Sequence, residues 1–287
     1  MTVRLSMNDR ISTALQSFQH TRPSKPMHSP HPHQKPAYGS TTQHAPEPDN
    51  FLPLSPAETT KLQAIAVNLL HHARDIDDKI LVSLDSIATQ TYATTKKNFD
   101  LTNHLLNHAS TYPKDGIACR KSHKQLANHS GAGCLNESKA KSRASAHMCL
   151  SEDAPMPTFN GVALTIAQMT KHVVSSTEEA ELASLFATAR KHVVQRQTLN
   201  EMRWPQKPTP TQVDNTTAFD VFTNNIIPKQ NKSIDMRIWW LRCRANQKYF
   251  RPYWVSDKEN YADCTSKHHS GPHHKSKEPL RAELPTT

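Results

Sequence analysis

The sequence predicts an α/β fold: a mixed sheet flanked by helices, preceded by a small helical region and by a disordered N-terminus rich in proline and histidine. Three observations predict it. Apolar residues recur at helical spacing in three successive stretches between residues 55 and 112. Beyond residue 113, strand-like runs come first and then alternate with helix-like ones, the pattern of a sheet with helices on its faces. Between Arg22 and Pro53, prolines at 23, 26, 30, 32, 36, 46, 48 and 53 forbid a continuous helix and deny a strand its ladder donors. The division that follows is 1–54 (short helix and linker), 55–112 (helical), 113–270 (sheet domain) and 271–287 (basic tail).

In chain order, Ile11, Leu15 and Phe18 share one helical face near the N-terminus. His28, His31 and His33 sit among the prolines, where the sequence favours a solvated linker over a metal site, since no acid or cysteine completes a closed shell. Ser55-Pro56-Ala57-Glu58 is a helix start, with a hydroxyl cap, proline at the first helical position and a glutamate placed to close a capping box. The stripe behind it is Leu62, Ile65, Ala66, Leu69, Leu70 and Ala73. Ile80, Leu81, Leu84, Ile87 and Ala88 make a second stripe, and Leu101, Leu105, Leu106 and Ala109 a third. Asp77-Asp78, between the first two, reads as a surface link.

Tyr112 to Gly116 is a turn. Ala146–Leu150 and Val162–Val174 read as strands, with Pro155 and Pro157 in the loop between them. Glu178 to about Leu199 reads as a helix with Leu182, Leu185, Ala189 and Val193 on one face. A short strand at Thr211–Val213, a helix at Ser233–Asn246, an aromatic strand at Tyr249–Val255 and a final helical turn at Asn260–Lys267 complete the domain. The histidine- and lysine-rich end from His268 reads as a disordered basic terminus.

Composition narrows the functional classes. Thirty-five basic against 25 acidic residues give a net charge of +10, which favours polyanions, nucleic acid first. A mean hydropathy of −0.70 is low for a chain packed throughout. Five cysteines, none in a C-x-x-C pair, argue against a zinc ribbon and for a reducing compartment. With no signal peptide and no apolar run long enough to cross a bilayer, the expectation is an intracellular protein, cytoplasmic or nuclear, with no membrane partner.

Three acids stand just past apolar segments on separate elements: Glu181 in Ser175-Ser176-Thr177-Glu178-Glu179-Ala180-Glu181-Leu182, Asp214 in Gln212-Val213-Asp214-Asn215-Thr216-Thr217-Ala218, and Asp263 in Tyr261-Ala262-Asp263-Cys264-Thr265-Ser266-Lys267. Carboxylates delivered in this way can converge on a hard divalent cation. Each also has a bland reading. Glu181 reads equally as an exposed helix acid, and Asp214 as a helix cap.

These runs, with Ser233-Ile234-Asp235-Met236-Arg237 between the last two, resemble the ribonuclease H domain that ends copia-type LTR retrotransposon Pol polyproteins. That family carries S-S-x-x-E-A-E, x-x-D-N-x-x-A, I-D-x-R and A-D-x-x-T-K in this order. The resemblance spans roughly residues 55–270, and its C-terminal half is the specific part; the helices of 55–112 resemble the thumb-to-connection region of the reverse transcriptase. It implies a ribonuclease H-like fold, an RNA/DNA hybrid as partner, and Mg2+ held by Glu181, Asp214 and Asp263 as catalytic and metal-binding acids. Lys171, Arg190, Lys191, Lys229 and Lys232 are the candidate nucleic-acid contacts.

The resemblance also exposes a gap. The family's first acid lies in a stretch of the form H-S-D-A-S, and this chain reads His129-Ser130-Gly131-Ala132-Gly133. Gly131 offers no ligand atom, and Glu137, six residues on, is roughly 20 Å away along an extended strand. Cys264 and Ser266 depart from the last motif as well. Two readings therefore stand: an enzyme-derived domain that has lost hydrolysis, and a non-catalytic nucleic-acid-binding module that keeps affinity through its basic charge; loss of both chemistry and binding would leave a relic.

Overall fold

The computed structural model describes all residues except 8, 34–49, 92, 138–140, 172–173, 175, 224, 226–231, 257–258 and 278–287, and of residues 232–235 it describes the backbone alone. The chain divides into two compact units. One comprises residues 120–136 and 140–267 with Met1; the other comprises residues 2–119, 137–139 and 268–287.

The first unit is built on a five-stranded sheet. Its strands are β3 (Gln125–Glu137), β4 (Lys141–Ser151), β5 (Val162–Met169), β6 (Thr209–Val213) and β7 (Phe250–Trp254), in spatial order β5-β4-β3-β6-β7. β4 and β5 pair antiparallel, with a bulge at Met148/Cys149. β6 runs parallel to both β3 and β7, with His129 opposite Gln212 and Val213 opposite Trp254. The sheet is therefore mixed and flanked by helices, as the sequence predicts. Parallel neighbours need crossovers, and α5 (Thr177–Glu201) and α7 (Lys232–Asn246) supply helical ones.

α5 starts where Ser176 Oγ accepts the Glu179 N–H at 3.1 Å. It buries Leu182, Leu185 and Ala189 against Val213, against Ala218, Val221 and Phe222 of α6 (Thr216–Phe222), and against Ile238, Leu241 and Phe250. This is the largest apolar cluster of the unit, and it fixes α5 on the sheet. The adjacent tryptophans of α7 separate: Trp240 packs on this core at 5.3 Å from the Phe186 ring, whereas Trp239 is 62% exposed. Trp239 is thus not the apolar anchor its size suggested.

The second unit contains β1 (Thr2–Ser6) paired with β2 (Gly116–Arg120), and α1 (Arg10–Ser17), α2 (Pro56–Asp75), α3 (Leu81–Ala88), α4 (Lys96–Thr111) and α8 (Gly271–Lys277). The predicted capping box forms at α2, where the Glu58 N–H donates to Ser55 Oγ at 3.3 Å and the Ser55 N–H to Glu58 Oε2 at 2.9 Å. Leu62, Ile65, Leu69, Ile80, Leu84, Leu105, Leu106 and Ile11 are buried and α1 to α4 pack on one another, which places the three helical stripes and the N-terminal helix in one interior. Asp77 and Asp78 are buried too, contrary to the surface reading. Lys79 Nζ lies 2.6 Å from Asp115 Oδ2 and 3.6 Å from Asp77 Oδ1, and this partly neutralises the cluster.

The proline-rich stretch has no helix or strand over residues 20–33, as its prolines dictate, but it is packed as well as extended. His31 is buried, and the Met27 N–H donates to Thr111 Oγ1 at 2.9 Å. At the other end, the stretch read as a disordered terminus forms α8 and buries His274. Residues 34–49 and 278–287 lie outside the described residues.

Candidate active site

The site is built around a turnless stretch of β3. Three backbone groups in a row are held there by side chains from other elements. The Ser130 carbonyl accepts Asn260 Nδ2–H at 2.8 Å, the Gly131 carbonyl accepts Ser184 Oγ–H at 2.8 Å, and the Ala132 N–H donates to Glu181 Oε1 at 2.9 Å. Glu181 and Ser184, three residues apart, share one face of α5, so the helix grips the strand at two points.

Glu181 is 5% exposed, which removes the reading of it as a surface helix acid. Burial pushes its carboxyl well above the ordinary glutamate range, and the negative charge of Asp214 pushes further, with Asp263 adding a smaller share. The Ala132 N–H and the Lys267 ammonium pull the other way. A buried carboxyl that feels two others is a site short of positive charge.

Asp214 follows β6 and is half-buried. The capping reading falls to its neighbour: Asn215 Oδ1 accepts the Ala218 N–H at 2.8 Å and starts α6. Asp214 Oδ2 instead accepts Asn260 Nδ2–H at 2.8 Å, and its carbonyl accepts the Trp254 indole N–H at 3.0 Å. Asp263 sits in a 3-10 turn, Tyr261–Thr265, and is 6% exposed. Lys267 Nζ lies 2.5 Å from its Oδ1.

The fold thus brings Asp214 and Asp263 into the electrostatic neighbourhood of Glu181. Among the described residues, the three carboxylates do not gather within 4.8 Å of one another as a ligand set. Their chemistry fits a hard divalent cation: the donors are carboxylate oxygens, and the excess negative charge on Glu181 is what such an ion relieves. Lys267 already supplies part of that charge to Asp263.

A Cβ at Gly131 would meet Asn260 Nδ2 at 3.2 Å and Ala262 Cβ at 3.4 Å, so a side chain there faces Asn260 and the turn that carries Asp263. Gly133 differs. A Cβ there would lie 2.2 Å from the Ser266 carbonyl oxygen and from Asn136 Nδ2, so only glycine fits the approach of β3 to that turn. Glu137 does not replace the missing acid. It accepts from Ser86 Oγ at 3.3 Å and lies 3.5 Å from His268 Nε2.

Sequence reasoning missed Asn260 and Ser184. Asn260 is fully buried and joins Ser130 to Asp214. Its only sequence signal is a capping residue type directly before the Tyr261-Ala262-Asp263 run, and it does cap the turn, accepting the Ala262 N–H at 3.0 Å. Of the basic candidates, Lys171, Arg190 and Lys191 are exposed; Lys229 and the Lys232 side chain lie outside the described residues.

No family model matches the chain. A curated relative, the retrovirus-related Pol polyprotein from transposon TNT 1-94 of Nicotiana tabacum, is 29% identical over 111 residues, or 38% of this chain. The match spans only 8% of the length of that relative. Two solved structures are similar. One is LC11-RNase H1, isolated from compost by a metagenomic approach: 8% identity, 50% of this chain, 92% of that one, TM-score 0.38. The other is the N-terminal RNase H domain of a Mycobacterium tuberculosis protein, solved as a fusion with maltose-binding protein: 13% identity, 53% of this chain, 97% of that one, TM-score 0.35.

Proposed function

We propose that this chain is a ribonuclease H-like remnant from the C-terminal part of a copia-type retrotransposon Pol polyprotein, and that it binds RNA/DNA hybrids without cleaving them. The observation that carries this reading is Gly131. It occupies the β3 position that the surrounding side chains face, with Glu181 bonded to the residue after it and Asn260 joining the residue before it to Asp214. The motif order and the sequence match to a Pol polyprotein support the lineage.

Glu181, Asp214 and Asp263 are the residues that would hold Mg2+, which when bound activates water and stabilises the leaving oxygen of a phosphodiester. A pair of cations needs several carboxylates between them, and the glycine leaves the pair under-neutralised. What the chain's own residues do is hold the site open and charged: the Ala132 N–H orients Glu181, Asn260 orients Asp214, and Lys267 offsets Asp263. Errors of about 1 Å in such positions cost on the order of a hundredfold in rate.

Exposed Lys171, Arg190 and Lys191, with the net charge of +10, support phosphate contacts. Binding through phosphates releases counterions, so affinity falls steeply with salt. Titrating the full chain with a labelled hybrid at low and at physiological salt tests the reading. Salt-sensitive binding is expected. Binding indifferent to salt would overturn the phosphate account, and no binding at low salt would leave a relic without this activity.

A further inference from the structure

Outside the acid site, the second unit concentrates histidines from two distant segments. His31, from the proline-rich stretch, is 5% exposed, and His274, on α8, is 3% exposed. The His31 and His268 rings meet edge to face at 4.1 Å between centroids, and His274 stands 6.0 Å from His31. Four nitrogens here are buried without a hydrogen-bond partner: His31 Nε2, His268 Nδ1, and both nitrogens of His274. A buried polar atom left unpaired forfeits the hydration it lost on burial, so several at one place call for an explanation.

The partners of the remaining nitrogens supply it. His31 Nδ1 lies 3.1 Å from the Pro32 carbonyl, so it carries the proton and leaves the Nε2 lone pair outward. His268 Nε2 lies 3.5 Å from Glu137 Oε1, which places its Nδ1 on the opposite edge of the ring. An oxygen behind these two imidazoles, a carbonyl for His31 and a carboxylate for His268, is the arrangement that orients histidine towards a metal. The backbone around the rings is tied down as well. Ser29 Oγ donates to the His31 and His269 carbonyls at 2.6 and 3.1 Å, and His33 Nδ1 donates to the His268 carbonyl at 3.0 Å.

We propose that His31, His268 and His274 form a binding site for a divalent ion of the zinc class. Imidazole suits zinc, copper and nickel, whereas carboxylate oxygens suit magnesium, so this site and the acid site would select different ions. Three imidazoles leave a fourth tetrahedral position open to water. The rings pack edge to face at their present separations, so bringing three nitrogens to about 2.0 Å from one ion requires the side chains to draw together on binding.

The bland competitor is chelation by the histidine-rich end alone, as His268, His269, His273 and His274 fall within seven residues. His31 separates the two, because it lies far away in sequence. The experiment is Zn2+ titration of the full chain by calorimetry, with Co2+ as a spectroscopic substitute. We expect one ion per chain, tetrahedral Co2+ absorption, and affinity at least about tenfold weaker in His31→Gln and in His274→Gln, with His71→Gln unchanged. His71 is a surface residue paired with Asp75. Affinity unchanged in His31→Gln would overturn the site in favour of simple chelation. Should either variant misfold, amide exchange of the unmodified chain decides. Zn2+ is expected to raise protection over residues 28–33 as well as 268–275, and protection confined to the second stretch would contradict the proposal.

Discussion

Asn260 Nδ2 donates a 2.8 Å hydrogen bond to Asp214 Oδ2 and a second, also of 2.8 Å, to the Ser130 carbonyl. One buried amide therefore sets the position of an acid at the end of β6 relative to the strand that carries Gly131. A Cβ at 131 would press on that same nitrogen at 3.2 Å. Any carboxylate restored at Gly131 must displace Asn260 by a few tenths of an ångström, and Asp214 moves with it.

The two glycines of β3 are therefore expected to differ under substitution. Gly133→Ala places a methyl group 2.2 Å from the Ser266 backbone oxygen and should destabilise by about 1–3 kcal/mol or more. Gly131→Ala meets the Asn260 amide at 3.2 Å and Ala262 Cβ at 3.4 Å, tight contacts without overlap, and should cost less than Gly133→Ala. Urea midpoints of the two variants check the order. Equal losses would contradict the described approach of β3 to the Asp263 turn.

Glu181→Gln should stabilise the chain in chelator-treated buffer at neutral pH, read as a rise in melting temperature. Its folded carboxyl is held above the ordinary range by burial and by Asp214, so ionisation opposes folding, and this loss is absent below the unfolded value and grows as pH rises. The amide keeps an oxygen to accept the Ala132 N–H. Thermal melts of wild type and variant, with and without Mg2+, read both effects; Mg2+ should stabilise wild type more than the variant.

Acid should weaken the fold well before the carboxylates protonate. His129 and His192 are buried in the first unit, and burial pushes them down to about 3 and about 4 from an ordinary 6.5. Between 6.5 and those values the unfolded chain binds more protons than the folded one. Stability is therefore complete above 6.5 and falls as pH drops below it, by up to about 1.4 kcal/mol per pH unit for each ring. Urea unfolding near pH 7 and near pH 5 measures the slope, and His129→Leu should flatten it. A slope unchanged by that substitution would mean that His129 reaches water.

Lys79→Met should be among the most damaging changes in the second unit, at about 3–5 kcal/mol. It leaves Asp77 and Asp115, 4% and 16% exposed as side chains, without the ammonium that lies 3.6 and 2.6 Å from them. Replacing Lys96, whose pair with Asp100 is 54% and 62% exposed, should cost less than about 1 kcal/mol. Comparing the two unfolding curves is the check.

Much of this was legible in the sequence, for identifiable reasons. Periodicity and cap chemistry are local, so the Ser55–Glu58 box, the α5 face of Leu182, Leu185 and Ala189, and the β7 aromatics are all where spacing puts them. What failed depends on contacts distant in sequence. Asp77-Asp78 reads as exposed until Lys79 and Asp115 meet. His31 reads as solvated until residues 268–274 pack beside it. The short strand read at Thr211–Val213 begins earlier, at Thr209, with Pro210 inside β6 opposite Arg251. At the site, acid order pointed to Glu181, Asp214 and Asp263, but no local pattern identifies Asn260 as the link between two of their elements.

The most direct test of the central claim is hydrolysis of a labelled RNA/DNA hybrid by wild type, Asp214→Asn and Gly131→Asp, each with Mg2+ and with Mn2+. The account predicts that wild type matches Asp214→Asn at background, and that Gly131→Asp recovers activity only in part because Asn260 must shift to admit it. Wild type cleaving clearly faster than Asp214→Asn would contradict it.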